Sequence, residues 1–425
     1  MVKMIRNSRC LFIISISFLI GLIFMAAFFL SSPDGKAAAP ILDKFSFLPV
    51  IFQSLGAVNA DYAVLAWNDL GMHCYNRDFQ DLAVLPPYNT LWAQVVRRGD
   101  PPQVITNGIR VSYSFPENTY SIGKSNFWTY AQALFGANLA PNIGLAGKGL
   151  AGEMDVSGDH FVAEGIPLTE YSDNDLVNRQ PFQLALIKVY STTTGNELLR
   201  MQVVAPVSTE MRCDVCHYDG AIENISTGRI ETNILTLHDQ ENASEYPPEH
   251  TGNLMDRRPI LCAECHESNA LKLSGVQGLP SLSNAMHSKH AGIVENSTAG
   301  CYHCHPGPQT RCLRDVMEEN YGLTCIDCHG NMEAVSENPK PWLNEPRCDT
   351  CHKGFIYDQP LYRNSKGHGG IYCEGCHDSP HAIAPSREGR DGLKFLNLQG
   401  APGPLSKCLL CHKTQPTSGG PHAGW

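Results

Sequence analysis

Positive charge is scarce in this sequence. Its 425 residues contain 32 Lys and Arg against 42 Asp and Glu, a formal net charge of −10 at pH 7. A surface this acidic repels phosphate backbones and anionic lipid headgroups. We therefore expect no nucleic-acid partner, whereas oxidised metal ions, minerals or basic redox proteins would suit the charge better.

Long hydrophobic runs are also scarce, and the one at residues 11–30 stands beside a positive flank of Lys3, Arg6 and Arg9. A small-residue stretch at 37–39 follows it, which is the arrangement of a secretion signal. The run is long enough to span a bilayer as well. The pattern predicts a signal peptide or a membrane anchor at 1–39 and a linker at 40–60. No lipobox-type cysteine follows the run, and the rest of the chain is expected outside the cytoplasm, at a periplasmic, outer-surface or extracellular location.

Cysteine, by contrast, is abundant, and its spacing is regular. Of 17 cysteines, 14 form seven C-x-x-C pairs, and a histidine follows each pair. The motifs, numbered 1 to 7 along the chain, are CDVCH (213–217), CAECH (262–266), CYHCH (301–305), CIDCH (325–329), CDTCH (348–352), CEGCH (373–377) and CLLCH (408–412).

C-x-x-C-H is the attachment signature of haem c. Two thiols separated by two residues can reach the two vinyl groups on one edge of a porphyrin, and the adjacent imidazole can then reach the iron. Zinc sites need sets of four ligands, and a disulfide across C-x-x-C has no use for the histidine. The sequence thus predicts seven haems attached through Cys213, Cys216, Cys262, Cys265, Cys301, Cys304, Cys325, Cys328, Cys348, Cys351, Cys373, Cys376, Cys408 and Cys411. The predicted proximal iron ligands are His217, His266, His305, His329, His352, His377 and His412.

Ten further histidines are available for the opposite side of each iron. A second imidazole closes the iron to substrate and gives a low-spin centre that passes electrons. Local context favours seven of them as distal ligands: His73, His238, His287, His290, His368, His381 and His422. His160, His250 and His303 are predicted to be non-ligands, and methionine, as in Met211 or Met286, is the rival axial ligand.

The chain divides by pattern at about residue 210. Residues 61–210 contain alternating runs such as FQLALIKVYS and ELLRMQVVAPV around a Gly-Asn turn, which is typical of a β-hairpin. Residues 211–425 hold all seven motifs and are rich in Gly and Pro. We predict a two-part α+β fold: a haem-free, β-sandwich-like domain at 61–210, then a loop-rich heptahaem domain at 211–425 with short helices and little sheet.

Two cysteines after the linker, Cys74 and Cys312, belong to no motif. An oxidising compartment favours a disulfide between them. Two buried thiols are the alternative.

Several segments resemble the multihaem c-type cytochromes exported by metal- or sulfur-respiring bacteria. They are AWNDLGMHC with LPPYNTLWAQ in the first part, then CHPGPQTRCLRD and KGHGGIYCEGCHDSPHA in the second. The resemblance implies electron transport, mostly bis-histidine ligation and a location outside the cytoplasm. Some relatives polymerise into haem-lined filaments in which a histidine of one subunit ligates a haem of the next.

The expected function is therefore electron transfer along seven haems, with no catalytic residue assigned. A multihaem reductase of a nitrogen or sulfur oxyanion is one rival, although no motif has lysine in place of histidine. A structural subunit of a conductive filament, and thus a homopolymer, is the other.

Overall fold

The computed structural model describes residues 56–338, 341–343, 345–353, 359, 361–417 and 422. The predicted signal peptide or anchor at 1–39 and most of the linker lie outside these residues. Within them, no helix is both long and apolar enough to cross a membrane.

Strands dominate the first part of the chain. In chain order they are β1 (Tyr62–Asn68), β2 (His73–Cys74), β3 (Leu82–Ala83), β4 (Asn89–Arg97), β5 (Gln103–Ile105), β6 (Ile109–Ser114), β7 (Ala151–Glu153), β8 (Asp155–Ser157), β9 (His160–Ile166), β10 (Phe182–Ser191), β11 (Glu197–Ser208) and β12 (Ile260–Leu261).

Helices are short and lie mostly in the second part. They are α1 (Phe127–Phe135), α2 (Ile230–Asn242), α3 (Leu282–His290), α4 (Thr298–Cys301), α5 (Val316–Tyr321), α6 (Cys325–His329), α7 (Met332–Glu337), α8 (Cys373–His377) and α9 (Leu393–Gln399). Single 3₁₀ turns occupy Cys213–Val215, Ala243–Glu245, Leu254–Asp256, Cys262–Glu264, Pro341–Leu343, Cys348–Thr350, Tyr362–Asn364, His368–Gly370 and Cys408–Leu410.

Two five-stranded sheets form the first part. One has the order β1-β4-β9-β8, with β5 added beside β4, and the other has the order β2-β11-β10-β6-β7. The pairs are antiparallel apart from β2, which runs parallel to β11. This strand-rich part of the chain contains a sheet that is curled into a half-barrel. The chain thus has the mixed α+β layout expected from its sequence.

The predicted hairpin coincides with β10 and β11. Alternate residues of β10 are buried, as expected for a strand with one face on the core. The turn between the strands contains Gly195 at φ +73, a left-handed conformation that favours glycine. The sequence runs DYAVLAW, GIRVSYSF and HFVAEGIPLTEY, which are typical of strands, contain β1, β6 and β9, and FWTYAQALF, which is typical of a helix, coincides with α1.

The hydrophobic core lies between these strands and extends into the second part. Trp67, Phe127 and Phe161 are almost fully buried in it. The same core includes Tyr372 next to motif 6 and Leu410 inside motif 7. The haem-motif segments are thus packed against the strands of the first part.

Buried hydrogen bonds join the two parts as well. The Gln94 side chain of β4 donates to the carbonyl of Gly370 and accepts from the backbone N–H of Tyr372. The Glu210 carboxylate accepts from the backbone N–H groups of Gln309 and Thr310, just after motif 3. The described residues accordingly belong to one compact unit.

The middle of the second part, between Ala263 and Leu361, has little hydrophobic core of its own. Among the described residues between Ala263 and Leu361, one hydrophobic side chain is buried, that of Val294. A segment of this length cannot stabilise its fold by burying so little apolar surface. A large apolar group inserted between its turns would supply the missing core.

Candidate functional site

Each of the seven motifs folds into one tight turn. Motifs 1, 2, 5 and 7 begin with a 3₁₀ turn at the first cysteine, and motifs 4 and 6 are the short helices α6 and α8. In motif 1 the backbone N–H of His217 donates to the carbonyl of Cys213 at 2.9 Å, and the same bond closes motifs 2, 3, 5 and 7. The turn therefore keeps two thiols and one imidazole together, as attachment to one porphyrin edge requires.

Six of the seven motif histidines face a second histidine from elsewhere in the chain. The ring centres lie 5.7–6.3 Å apart. In motif order, the pairs are His217–His290, His266–His238, His305–His287, His329–His381, His377–His422 and His412–His368.

This separation is what two imidazoles on one iron would have. An imidazole nitrogen lies about 2 Å from the metal that it ligates, so two rings on opposite sides of an iron have their centres about 6 Å apart. Aromatic rings that merely stack lie closer, as the Trp92 indole and the His160 imidazole do at 4.1 Å between ring centres. The six pairs thus leave room for one metal atom between the rings.

The Nδ1 atoms of five of the paired histidines contact an oxygen atom of another residue. His266, His287 and His290 each direct Nδ1 at a backbone carbonyl, of Pro280, Ser283 and Met286 respectively, at 2.6–2.9 Å. His238 Nδ1 contacts the hydroxyl of Tyr246 at 3.0 Å, and His412 Nδ1 contacts the Asp100 carboxylate at 3.2 Å. A histidine that ligates a metal through Nε2 typically has Nδ1 fixed in this way.

Desolvation favours the neutral form of five of these imidazoles. Burial and neighbouring imidazoles lower the pKa of His305, His329 and His377 to about 4. Burial also lowers the pKa of His217 and His238. The neutral imidazole is the form that binds a metal. His381 differs: burial acts to lower its pKa, but the neighbouring Cys312 thiolate outweighs burial and the value rises to about 8.

One motif histidine, His352, is not paired in this way. Its side chain is exposed, and among the described residues no imidazole lies at the pair distance from it. His73, the remaining predicted distal ligand, is buried with Nε2 at 2.9 Å from the Asp69 carboxylate. The structure therefore does not bring His73 and His352 together.

The three predicted non-ligands lie in other environments. His160 is buried against Trp92, and its Nδ1 lies 3.3 Å from the Tyr372 hydroxyl. The Nδ1 of His250 accepts from the Arg257 guanidinium at 2.7 Å. This contact places the ring proton on Nε2, so that atom has no lone pair for a metal. His303 belongs to none of the six pairs.

Cysteines of different motif turns lie near one another in space. Burial is the main cause of the raised pKa values of Cys262, Cys213 and Cys376, and a cysteine of an adjacent motif raises each further: Cys213, Cys304 and Cys411 respectively. Contact with Cys325 lowers the pKa of Cys301 to about 7.

Cysteines of motifs 4, 5 and 6 also affect the pKa values of residues in or near a neighbouring motif. After burial, the Cys348 and Cys351 thiolates of motif 5 contribute to the raised pKa of Cys328 in motif 4. Tyr362 lies between motifs 5 and 6, since Cys373 and Cys348 both raise its pKa after burial does. Cysteines of motifs 2 and 1, 1 and 3, 3 and 4, 4 and 5, and 6 and 7 are thus close enough to affect one another's pKa.

Isolated metal ions have no comparable site. Within the part of the chain that the structure describes, no three His, Cys, Asp or Glu side chains are grouped so that they could hold one. A haem iron needs only two side chains, because the porphyrin supplies its other four nitrogens. Paired imidazoles beside C-x-x-C turns fit haem c and do not fit a zinc site.

Motif 6 contains a buried carboxyl group that spacing alone did not indicate as functional. Glu374 is fully buried, and neither carboxylate oxygen has a hydrogen-bond partner among the described residues. Burial, with a contribution from Asp69, raises its pKa well above 4.5, although Lys394 acts in the opposite direction. We expect this side chain to be protonated at neutral pH.

Replacing Glu374 by Gln should therefore change how stability depends on pH. A carboxyl group whose pKa is raised by folding makes the native state less stable as pH rises above its unfolded value of 4.5. The Glu374→Gln variant should match the wild type in urea unfolding at pH 4 and exceed it increasingly towards pH 8. Equal midpoints at both pH values would contradict a protonated Glu374, and Glu333→Gln, an exposed carboxyl in α7, is the control.

No family model, curated protein or solved structure matches the chain. The paired imidazoles and the motif turns are therefore the observations that support a function.

Proposed function

We propose that this chain is a heptahaem c-type cytochrome that transfers electrons. The observation that carries the proposal is the pairing of six motif histidines with six distal histidines, at a separation that fits one iron between them. These six distal residues are among the seven expected from local context in the sequence. Each haem, when bound, supplies an iron that cycles between its ferric and ferrous states.

The residues of the chain have three roles in this proposal. The motif cysteines hold each macrocycle covalently. The paired imidazoles would hold six irons from two sides, which would keep substrates out and favour electron transfer over catalysis. The groups bound to Nδ1, such as the Pro280 carbonyl and the Asp100 carboxylate, orient the imidazoles and tune their basicity.

The arrangement of the chain supports transfer along a line. Because cysteines of neighbouring motifs are close enough to affect one another's pKa, the macrocycles attached to them would lie in one row, and we propose the order 2, 1, 3, 4, 5, 6 and 7. The strand-rich first part, which carries no motif, would form one wall of this row. We further propose that the protein works outside the cytoplasm, with redox proteins, metal ions or minerals as donors and acceptors.

The direct test is the mass and colour of the protein made in a host that matures c-type cytochromes. We expect the mature polypeptide to gain the mass of seven haems and to show a Soret band with a split α-band region on reduction. The Cys408→Ala/Cys411→Ala variant should lose one haem and keep six. A wild-type protein with the mass of its amino acids alone, and no Soret band, would refute the proposal.

His352 favours a second candidate function at one iron. Because no other imidazole lies at the pair distance from it among the described residues, the iron on His352 could keep an open position for a small substrate. A reductase of a nitrogen or sulfur oxyanion would use such a position. Carbon monoxide bound by one of the seven reduced haems would support this function, whereas no binding would support pure electron transfer.

A further inference from the structure

Cys74 and Cys312 are the two described cysteines outside the motifs, and the structure has both as free thiols. They come from distant parts of the chain, but their segments lie side by side. Burial, followed by the charge of Cys312, raises the pKa of Cys74 well above its ordinary value. The disulfide predicted from the sequence is therefore not present, although the two cysteines lie on adjacent segments.

Two bridges hold the segments of these cysteines against each other. Cys74 ends β2 opposite Ser208 of β11, and the Ser208 hydroxyl contacts the Thr310 hydroxyl at 3.3 Å. The buried Arg314 guanidinium donates to the carbonyl of Gly71 at 2.9 Å and to that of Cys312 at 3.0 Å. These contacts hold the segments of the two cysteines together on both sides.

The pair also touches one of the proposed iron ligands. The Cys312 sulfur lies 3.7 Å from Nδ1 of His381, which faces His329 of motif 4. In five other paired histidines an oxygen atom contacts Nδ1, so sulfur at this position sets His381 apart. A change in the chemical state of Cys312 would reach the motif 4 iron through one imidazole.

We propose that Cys74 and Cys312 form a dithiol that ferric haem oxidises reversibly to a disulfide, and that the state of this pair tunes the haem of motif 4. The inference rests on the proposed function, because it needs haem as the oxidant. In the step, the S–H bonds of both cysteines break and one S–S bond forms. Two electrons leave one at a time through the Cys312–His381 contact and reduce two ferric irons, and two protons pass to water.

The disulfide would alter the hydrogen bonding of His381. A thiol or thiolate of Cys312 can exchange a hydrogen bond with Nδ1, whereas a disulfide sulfur is a much weaker acceptor and donates nothing. Ligand basicity, and with it the reduction potential of the motif 4 iron, would change on oxidation. The chain would then couple a pair of thiols, which releases two electrons, to a row of haems that each exchange one electron.

The test begins with holoprotein whose Soret band has confirmed haem attachment, so that a failure of the proposed function is seen first. The fully reduced wild type, titrated without oxygen with ferricyanide, should give up two electrons more per molecule than the Cys74→Ser variant. Alkylation under denaturing conditions followed by peptide mass spectrometry should find both thiols free before the titration and linked after it.

The two serine variants separate the dithiol from its effect on the haem. Cys74→Ser keeps the Cys312–His381 contact and prevents the disulfide, whereas Cys312→Ser removes both. We expect the potential of one haem to depend on the thiol state in the wild type and not in Cys74→Ser. Equal electron counts, or Cys74 and Cys312 alkylated in both states, would overturn the proposal. A disulfide present in both states would also overturn it, because such a link would be permanent.

Discussion

In the proposed cytochrome, replacing His290 by alanine should turn one of the six irons held by paired imidazoles from low-spin to high-spin. The imidazole of His290 lies 6.3 Å from that of His217, on the side where the iron of motif 1 would bind its second axial ligand. Without it, that iron would keep one strong ligand and an open position. Electron paramagnetic resonance of the ferric protein should show a high-spin signal that exceeds the wild type's by about one iron in seven, and the reduced protein should bind one carbon monoxide more than the wild type.

His303→Ala is the matched control, because His303 lies inside motif 3 but faces no motif histidine at the pair distance. It should leave the spin states unchanged. His287→Ala should act like His290→Ala but at the iron of motif 3, since His287 faces His305. A fully low-spin His290→Ala protein would show that His290 is not a ligand.

Replacing Arg314 by alanine should destabilise the protein by about 3–5 kcal/mol, the usual cost of leaving a buried charge without its partner. Arg314 and Asp391 are each only 1% exposed, and the guanidinium donates to the carboxylate at 2.6 and 3.1 Å. Arg314 also binds the carbonyls of Gly71 and Cys312, so its loss leaves several buried acceptors unsatisfied. Urea unfolding at neutral pH, followed by circular dichroism, measures the change.

The control is Arg110→Ala, which removes an ion pair with Glu153 in which both side chains are well exposed. Such a pair is worth less than about 1 kcal/mol. The double variant Arg314→Ala/Asp391→Asn should recover part of the stability lost in Arg314→Ala, because it removes the uncompensated charge. Equal losses for Arg314→Ala and Arg110→Ala would contradict this account of the buried pair.

The local elements could be predicted from the sequence because their signals are local. The alternation in β10 and β11 and the apolar cluster of α1 lie within single segments. His287 and His290 stand three residues apart, a spacing typical of one face of a helix, and the structure places both on α3.

Partnerships between distant residues could not be predicted in the same way. Nothing in the spacing shows that Asp100 contacts His412, that Cys312 contacts His381, or that Glu374 is buried without a partner. These contacts depend on how the strands of the first part pack against the motif turns. The surroundings of His73 also depend on this packing. Its sequence segment favoured an iron ligand, whereas in the structure its Nε2 faces the Asp69 carboxylate.

In the proposed cytochrome, helix α3 would affect the rate of electron transfer between two haems. His287 and His290 lie one turn apart on this nine-residue segment and face motifs 3 and 1. A helix is stiff over such a length, so thermal motion would displace both imidazoles together. The distance between the proposed irons of motifs 3 and 1 would then be nearly constant. The rate of electron transfer between these two irons would therefore vary little from one molecule to another.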